Sequence, residues 1–565
     1  MKYTAYPLLE NMLSGKDYAA EFMTGLILNN LDLSIEAVFE VKIFIFRLIG
    51  KKYIYFIFRS IQGKSMNKMI GHYILGRRIT ETKYSGPVFN PSTGEEISRC
   101  AYADAETVDL AVKAATSINA KKWEKASNAV RLQVLFKMRE LMRSRITELA
   151  EIIGREHGKT IPDAIGEIGR AIEGIEFACN APHIMKGEYS HNVAGDIDVF
   201  SIRVPIGVVG CITPFNFPIM VPTVMTTMAV SVGNSIVWKP SEKVPSAALF
   251  FADLWKEAGL PDGVFNVVQG DSVAVDAILE HPDIAAINFV GSTKIGEYVY
   301  QKGTSYNKRV AAFTGGKNHM VVMPDADLEA AANAFVSAGF GSASQRCMAV
   351  SLLIPVGAET ADKLRKLIIE KTKMLKIGAY NDANADFGAV ISAQSKQSVL
   401  KAIDQCVADG AELILDGREY EHPKYKNGYY IGPTLFDHLK TDMDFYKQEV
   451  FGPARGILRV NTLDEAIEVV NSHEFGNGAV IFTRNGKSSH RFFVEIESGM
   501  IGVNVPIPLP VSYFNFGGLR RSKFGEAHLY GPDAVRFYTK IKTISQKWPV
   551  VEESDQLISL AFKIA

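Results

Sequence analysis

The chain has 565 residues, of which 47% are hydrophobic, 22% charged and 10% aromatic. This composition excludes a disordered or collagen-like chain and is sufficient for several domains with sizeable cores. Lys and Arg together number 62, as do Asp and Glu, so there is no net basic field to favour nucleic acid or an anionic membrane as a partner.

Residues 1–65 differ in pattern from the rest of the chain. The apolar run 37–60 is interrupted by charges such as Glu40 and Arg47, each of which costs a membrane-spanning helix about 2.5–3.5 kcal/mol. The acidic residues of this stretch also disfavour a mitochondrial transit peptide. We therefore expect no membrane span, and we interpret residues 1–65 as a dispensable, atypical extension before a conventional start at Met66.

The five cysteines are scattered and form no CxxC pair. This pattern argues against a disulfide framework and against structural zinc, so we expect no metal. It fits a reducing compartment: the cytoplasm or, in a eukaryote, the mitochondrial matrix.

The main body begins with a helical pattern from about residue 105. Apolar residues recur at three- and four-residue steps from Leu132 to Ile153 and form one stripe, which predicts a core-facing helix. Residues 191–205 then alternate polar and apolar side chains, which is typical of an exposed antiparallel hairpin or arm.

Short apolar runs next alternate with helical segments. The runs cover residues 206–212, 235–238, 264–268, 285–290 and 309–313. Continuous Val- and Ile-rich runs separated by helices predict parallel strands buried on both faces, in a doubly wound nucleotide-binding sheet with ligands at the carboxyl ends of the strands. A second α/β alternation extends from residue 319 to about 505.

Two predicted strand ends carry candidate nucleotide contacts. Gly291 and Ser292 begin a GxxxxG segment between a strand and a helix, where backbone amides suit a pyrophosphate, although a plain tight turn also explains the spacing. Lys239 and Glu242 stand three residues apart at another strand end and could bind vicinal ribose hydroxyls. The alternative for this pair is a solvated turn.

Two further segments carry candidate catalytic groups. Asn216 lies between two aromatic residues and two prolines, a rigid setting that suits an amide donating to an oxyanion as well as a simple turn. Cys347 is flanked by small residues and by Arg346, an electropositive setting that predicts a lowered thiol pKa and a nucleophilic thiolate. A buried structural cysteine is the ordinary alternative.

Taken together, these segments resemble a known family. In chain order they are Asn216, Lys239, Glu242, GSTKIG (291–296), FTGGK (313–317), SQRCM (344–348) and EVFGP (449–453). The series closely resembles the NAD(P)-dependent aldehyde dehydrogenase superfamily over roughly residues 73–550. The resemblance implies an α/β fold with a doubly wound NAD-binding domain, an α/β catalytic domain and a small β oligomerisation arm.

The resemblance also implies domain limits and roles for single residues. The implied ranges are 66–190 and 206–316 for the NAD-binding domain, 317–510 for the catalytic domain, and 191–205 with 511–565 for the arm and C-terminal segment. Cys347 is the implied nucleophile, and Asn216 with the Cys347 amide is the implied oxyanion hole. The implied cofactor contacts are Lys239 and Glu242 at the adenosine ribose, Gly291 and Ser292 at the pyrophosphate, and Glu449 and Phe451 at the nicotinamide ribose. Phe215 is a further implied cofactor contact.

One departure from the family pattern narrows the predicted reaction. Most of the superfamily has Glu in an ELGGK motif, as the base that activates water, whereas this chain has Phe313 at that place. A phenyl ring cannot accept a proton. Hydrolysis of a thioester on Cys347 should therefore be slow, and the substitution points towards coenzyme A as the acyl acceptor.

The sequence resembles one branch of the superfamily in particular, the acylating methylmalonate-semialdehyde dehydrogenases. In that branch an Arg beside the cysteine helps to bind the substrate carboxylate; Arg346 has this place, and Arg170 matches a second Arg. For Arg170, a salt bridge on the helix surface is the alternative. Two positions depart from the branch, because Ser344 replaces a usual Gly and Phe313 replaces a smaller polar residue.

The resulting prediction is an NAD-dependent, CoA-acylating oxidation of malonate or methylmalonate semialdehyde with release of CO₂. Glu242 favours NAD over NADP, because its carboxylate would repel a 2′-phosphate. We expect a homo-oligomer, dimer or tetramer, with neither nucleic acid nor membrane as partner. The alternatives are a hydrolytic aldehyde dehydrogenase that yields a free acid, and a non-catalytic NAD-binding or scaffold protein of the same fold.

Overall fold

The first five strands of the chain belong to two different sheets. The computed structural model describes residues 69–548, and the predictions for residues 1–65 lie outside them. The strands are β1 (Met69–Ile70), β2 (His72–Ile74), β3 (Arg77–Ile79), β4 (Tyr84–Asn90) and β5 (Glu95–Tyr102). β1, β5 and β4 form a three-stranded sheet, whereas β2 and β3 form the antiparallel edge of a much larger one.

Six helices follow, and they contain the predicted apolar stripe. They are α1 (Ala105–Ala115), α2 (Ile118–Glu124), α3 (Asn128–Ser144), α4 (Ile146–His157), α5 (Ile161–Ala178) and α6 (Ala181–Ile184). The stripe faces the core as predicted: Leu132 and Ile146 are partly buried, and its other members are fully buried. The expectation of a single helix is wrong, because the backbone of Arg145 leaves the helical region and the Ser144 hydroxyl donates to the Leu141 carbonyl at 3.0 Å.

The predicted hairpin is present. It consists of β6 (Tyr189–Ala194) and β7 (Ile197–Pro205), which pair antiparallel. Gly195 and Asp196 connect the strands with φ of 49° and 66°, in the left-handed region that a tight turn requires.

The predicted nucleotide-binding sheet follows. Its elements are β8 (Val208–Ile212), α7 (Met220–Ser231), β9 (Ser235–Lys239), α8 (Ser246–Ala258), β10 (Phe265–Val267), α9 (Ser272–Glu280), β11 (Ile284–Val290), α10 (Thr293–Ser305) and β12 (Arg309–Phe313). The five strands are parallel, in the order β12-β11-β8-β9-β10, and their side chains are almost entirely buried. Lys239, Gly291 and Phe313 therefore lie at one edge of the sheet, at its carboxyl end.

The second α/β alternation builds a seven-stranded sheet, in the order β15-β16-β17-β14-β13-β19-β20. Its region comprises β13 (Asn318–Val322), α11 (Leu328–Phe340), a 3₁₀ turn (Gly341–Ser344), β14 (Val350–Pro355), α12 (Ala358–Lys373), α13 (Ala393–Ala408), β15 (Glu412–Leu415), β16 (Thr434–Asp437), α14 (Asp444–Lys447), β17 (Ala454–Ile457), α15 (Leu463–Ser472), β18 (Phe475–Gly476), β19 (Gly478–Phe482), α16 (Gly486–Glu495) and β20 (Met500–Val503). Its central strands are parallel and fully buried, again as predicted.

The last described segment returns to the earlier parts of the chain. It contains β21 (Leu519–Arg520), β22 (Lys523–Phe524), α17 (Pro532–Phe537) and β23 (Thr539–Lys547). β22 pairs antiparallel with β12 and completes the eight-stranded sheet, which the sequence analysis did not predict. β23 pairs with the whole length of β7, so the arm is a three-stranded sheet. The predicted domain limits themselves stay a prediction. Among residues 69–548, no helix has the length and apolar character needed to cross a bilayer.

Candidate active site

A strained turn precedes Cys347. After α11, Ser342, Ala343 and Ser344 have φ of 56°, 50° and 62°, all in the left-handed region that non-glycine residues rarely adopt. The Ser344 hydroxyl donates to the Gly339 carbonyl at 2.5 Å, which holds the turn. Ser344 thus keeps the backbone conformation that the usual glycine of this position would adopt without strain.

Two asparagines fix the backbone of Cys347 itself. The side-chain amides of Asn318 and Asn477 donate to the Cys347 carbonyl at 2.8 and 3.0 Å. Asn318 also donates to Ala349 at 2.9 Å. Sequence reasoning missed both residues, because they come from β13 and from the approach to β19, far from Cys347 in the chain.

The Cys347 thiol is not activated as predicted. Burial raises its pKa to about 12, and the Glu449 carboxylate raises it further, whereas the backbone N–H groups of Cys347 and Met348 lower it. The predicted lowering by Arg346 is wrong, because the Arg346 guanidinium is paired with Asp163 of α5. In this state the thiol is protonated at neutral pH, in a partly exposed position against the largest apolar core.

Asn216 lies beside the nucleophile segment, as an oxyanion donor must. Its side chain is buried, and its amide donates to the carbonyl of Gln345, two residues before Cys347, at 3.0 Å. An amide nitrogen carries two protons, so one remains for a second acceptor. The role of Asn216 as oxyanion donor stays a prediction.

A buried ion pair that sequence reasoning missed holds the segment of Asn216. Lys159 donates to the Asn216 carbonyl at 2.6 Å and to Glu167 at 2.8 Å, and both charged side chains are almost fully buried. The second Glu167 oxygen accepts from the amides of Ile219 and Met220 at 2.8 and 3.1 Å. Lys159 lies in the turn between α4 and α5, and Glu167 lies in α5. The pair therefore joins these parts of the chain to the loop between β8 and α7.

Of the two arginines predicted for the substrate carboxylate, Arg170 lies on α5 and Arg346 is paired with Asp163 of the same helix. Arg170 pairs with Glu173 on its own helix at 2.7 Å, which is the surface salt bridge that the sequence left open as an alternative. Asp163, the partner of Arg346, precedes Arg170 by seven residues and so shares its helix face. Arg170 and Cys347 both influence the pKa of buried Tyr530, which places that phenol within electrostatic reach of both. A carboxylate ligand would have to compete with Glu173 and Asp163.

Three of the predicted cofactor residues, Phe215, Glu449 and Phe451, lie close together. The rings of Phe215 and Phe451 are perpendicular, with centroids 6.0 Å apart. Glu449 accepts from the Gly316 amide at 3.3 Å, and its pKa is raised to about 7, mainly by burial. A Cβ on Gly315 would lie 2.6 Å from a Glu449 oxygen, so any side chain there would displace the end of Glu449.

The predicted adenosine and pyrophosphate residues lie at the carboxyl edge of the nucleotide sheet. Lys239, at the end of β9, is buried and lies 3.4 Å from the half-buried Glu242. Gly291 follows β11, and Ser292 is the N-cap of α10, although its side chain makes no capping hydrogen bond. The carboxyl ends of β9 and β11 lie on either side of β8 in the sheet, so one extended ligand could contact both.

Phe313, the residue in place of the family's water-activating Glu, is buried at the end of β12. A Cβ built on Gly517 would lie 3.2 Å from its ring, and β22 pairs it with Lys523. Phe313 and Cys347 both pack in or against the same apolar core. The end of this strand therefore presents a hydrocarbon side chain, which cannot accept a proton.

Comparison with known proteins agrees with this geometry. The model of the aldehyde dehydrogenase family matches residues 79–544. The malonate-semialdehyde dehydrogenase of Pseudomonas aeruginosa is 48% identical over 478 residues, which are 85% of this chain and 96% of that protein. The mitochondrial, acylating methylmalonate-semialdehyde dehydrogenase of Arabidopsis thaliana is 41% identical over 486 residues, 86% of this chain and 80% of that protein.

Solved structures show the same similarity. A methylmalonate-semialdehyde dehydrogenase from Oceanimonas doudoroffii has a TM-score of 0.85 at 45% identity, over 86% of this chain and 99% of that one. A protein of Sinorhizobium meliloti, assigned as a methylmalonate-semialdehyde dehydrogenase and solved with NAD, has a TM-score of 0.85 at 45% identity, with the same coverage of 86% and 99%.

Proposed function

Because the chain belongs to the aldehyde dehydrogenase family, we propose that this enzyme oxidises malonate semialdehyde or its methyl derivative with NAD and transfers the acyl group to coenzyme A. The products are acetyl-CoA or propanoyl-CoA and CO₂. The names of the relatives support the substrate class. The observation that carries the acyl transfer to a thiol is the buried Phe313, in the apolar core against which Cys347 packs.

The residues at the sheet edge fit NAD. Gly315 leaves the space beside Glu449 that a Cβ would fill, and Lys239 with Glu242 offers an ammonium and a carboxylate to ribose hydroxyls. The relative from Sinorhizobium meliloti was solved with NAD. We propose that Lys239, Glu242, Gly291, Ser292, Phe215, Glu449 and Phe451 hold this cofactor. When bound, NAD supplies the acceptor for the hydride of the oxidation.

The substrate-side residues then have distinct tasks. Arg170 and Arg346 bind the carboxylate of the semialdehyde, which selects an acid over an uncharged aldehyde. The Cys347 sulfur attacks the aldehyde carbon after losing its proton, and the Asn216 amide and the Cys347 backbone N–H donate to the resulting oxyanion. Oxidation leaves a thioester on Cys347.

The acyl group is then transferred from the Cys347 thioester to coenzyme A and not to water. Phe313 cannot deprotonate water, so hydrolysis is slow. The thiol of coenzyme A is an intrinsically better nucleophile near neutral pH; it attacks the thioester carbonyl, and the Cys347 sulfur leaves. The β-carboxylate of the substrate is lost as CO₂, and a proton takes its place on the α-carbon.

An NADH assay with malonate semialdehyde, its methyl derivative and propanal, each with and without coenzyme A, tests the proposal. We expect one burst of NADH without coenzyme A, sustained turnover with it, and a preference for the two acids over propanal. A steady rate without coenzyme A and with no response to it would contradict acyl transfer and would favour the hydrolytic alternative.

We propose in addition that the arm joins copies of this chain. Within residues 69–548, β23 is the outer strand of its three-stranded sheet, and an edge strand readily accepts a strand of another chain. Ile541 of β23 and Ile202 of β7 are exposed apolar residues on this sheet. Light scattering after size-exclusion chromatography is expected to give a dimer or tetramer; a monomer at working concentration would contradict the proposal.

A further inference from the structure

His528 and Asp533 form a pair that the proposed cycle does not use. The His528 Nδ1 lies 2.6 Å from an Asp533 carboxylate oxygen, and both side chains are mostly buried. Asp533 is itself fixed, since it accepts from Asn515 at 3.2 Å and from Arg536 at 2.9 Å. A carboxylate at Nδ1 places the proton there and leaves Nε2 as the basic nitrogen. Nε2 has no hydrogen-bond partner within residues 69–548.

The free edge of this imidazole lies beside Phe313. A Cβ built on Gly517 would be 2.9 Å from His528 Cδ2, the atom next to Nε2, and 3.2 Å from the Phe313 ring. The edge of the imidazole and the phenyl ring therefore both lie next to Gly517. Phe313 stands where most of the family has its proton acceptor, so His528 brings a basic nitrogen to the place from which the usual base is missing.

Leu529 and Tyr530, which follow His528, belong to the apolar core against which Cys347 packs. The Leu529 amide donates to the Phe516 carbonyl at 2.9 Å, which aligns residues 528–530 with residues 516–517. Tyr530, two residues after His528, stacks on Phe516 and is influenced electrostatically by both Cys347 and Arg170. His528 is thus next in the chain to residues of the apolar core against which Cys347 packs, and that core also contains Phe313.

The charged neighbours of His528 come from two elements. Lys523, from β22, reaches the same point near Gly517 with its Cδ atom and donates to the Glu526 carbonyl at 3.1 Å. Asp533 and Arg536 come from α17. The Asp533 carboxylate orients the imidazole and is the counter-charge closest to it when Nε2 takes a proton. Such a pair can accept a proton and return it.

We propose that His528, oriented by Asp533, is the general base for the acceptor thiol in acyl transfer. The inference rests on the proposed CoA-acylating function. His528 Nε2 takes the proton of the coenzyme A thiol, and the sulfur forms a bond to the thioester carbonyl carbon. The bond from that carbon to the Cys347 sulfur breaks, and the imidazolium returns its proton to the Cys347 thiolate. The step needs no oxidant or reductant.

Single-turnover kinetics of His528→Asn test this role. The acyl-enzyme is formed with substrate and NAD, its NADH burst counts the active sites, and the rate of acyl transfer to coenzyme A is measured per site. At pH 7 we expect the rate of acyl transfer to coenzyme A to fall by up to about 30-fold in the variant. Only about one in 30 molecules of a thiol with a pKa of about 8.5 is ionised at this pH, and the variant depends on that fraction. In the wild type, where the imidazole takes the proton of the thiol, the rate should rise less steeply with pH than in the variant. In the variant it should rise about tenfold per pH unit up to the thiol pKa.

A second acceptor separates catalysis from structure. A nitro-substituted thiophenol is already ionised at pH 7 and needs no base, so His528→Asn and the wild type should transfer the acyl group to it at equal rates. His490→Asn, at an exposed histidine of α16, is the matched control and should behave as the wild type with both thiols. His528→Gln repeats the test with a longer side chain.

The outcomes for the base and for the proposed function are distinguishable. If the wild type turns over steadily without coenzyme A, the acylating function itself fails. If the wild type depends on coenzyme A but His528→Asn keeps its rate and its pH profile, the function stands and His528 is not the base. A uniform loss with both thiols, and no change in the pH profile, would also overturn the assignment, because it indicates a structural role.

Discussion

At the scale of single residues, the sulfur of Cys347 lies between opposing influences. Burial and the Glu449 carboxylate raise its pKa, and the adjacent backbone N–H groups lower it. The balance keeps the thiol protonated at neutral pH. The proposed nucleophile is therefore almost entirely in its thiol form, which is less reactive than the thiolate.

The first residue-scale prediction concerns Glu449. Glu449→Gln removes the negative charge, which lowers the pKa of the Cys347 thiol and increases the thiolate fraction. Alkylation of Cys347 by iodoacetamide at pH 8, followed by peptide mass spectrometry, should be faster in the variant than in the wild type. In the wild type the rate should rise about tenfold per pH unit between pH 7 and 10, since the thiolate fraction grows by that factor below the pKa.

Glu359→Gln, at an exposed carboxylate of α12, is the control for this experiment and should leave the alkylation rate unchanged. A wild-type rate that is already maximal at pH 7 would contradict a raised thiol pKa. An unchanged rate in Glu449→Gln would remove the carboxylate as one of its causes.

Asn216 carries the second residue-scale prediction. If its amide donates to the developing oxyanion, Asn216→Ala should lower the rate of the NADH burst by about 10²–10³-fold, the usual cost of losing one such donor. Asn216→Asp preserves the size of the side chain but removes the donor, so it should be comparably slow. Burst rates like that of the wild type in both variants would exclude Asn216 from the mechanism.

At the scale of elements, the loop between β8 and α7 depends on a buried charge pair. Lys159→Met removes the donor to the Asn216 carbonyl and leaves the Glu167 carboxylate buried without its cation. Loss of one partner of a buried pair costs about 3–5 kcal/mol, so the free energy of unfolding should fall by about that amount in denaturant titrations. The remaining folded enzyme should also have a slower NADH burst, because Asn216 has lost its support.

Two further variants check this interpretation. In Lys159→Met/Glu167→Gln an amide oxygen can still accept from Ile219 and Met220 with no buried charge, so part of the lost stability should return. Lys113→Met removes an exposed ion pair with Asp109, which is worth about 0–1 kcal/mol. Equal losses in Lys159→Met and Lys113→Met would contradict the special role of the buried pair.

The elements also show how far a sequence of this kind can be interpreted. Strands β8, β9, β11 and β12 were predicted because continuous apolar runs report burial on both faces, which is a local property. The break at Arg145 was not predicted, because the apolar stripe continues across it and the Ser144 hydroxyl bond leaves no trace in hydropathy. The antiparallel strand β22 was missed because its two residues are too short for a pattern.

At the scale of the whole molecule, the family resemblance and the fold class predicted from the sequence are confirmed by the family match over residues 79–544 and by the solved relatives. The convergence of Phe215 with Phe451 and of Lys239 with Glu242 follows from that fold. The electrostatics of Cys347 did not follow from sequence, because Asp163, which neutralises Arg346, is 183 residues away in the chain. Lys159 and Glu167 were missed because the backbone that they hold is far along the chain: Asn216 follows Lys159 by 57 residues, and Ile219 follows Glu167 by 52.

The central claim is that an acyl group rests on Cys347 until a thiol removes it. Its most direct test is mass spectrometry of the enzyme quenched after reaction with malonate semialdehyde and NAD, first without and then with coenzyme A. The account predicts an added acyl group on the Cys347 peptide that persists without coenzyme A and disappears, as acetyl-CoA forms, when it is added. Sustained NADH formation with no acyl group on Cys347 under either condition would contradict it.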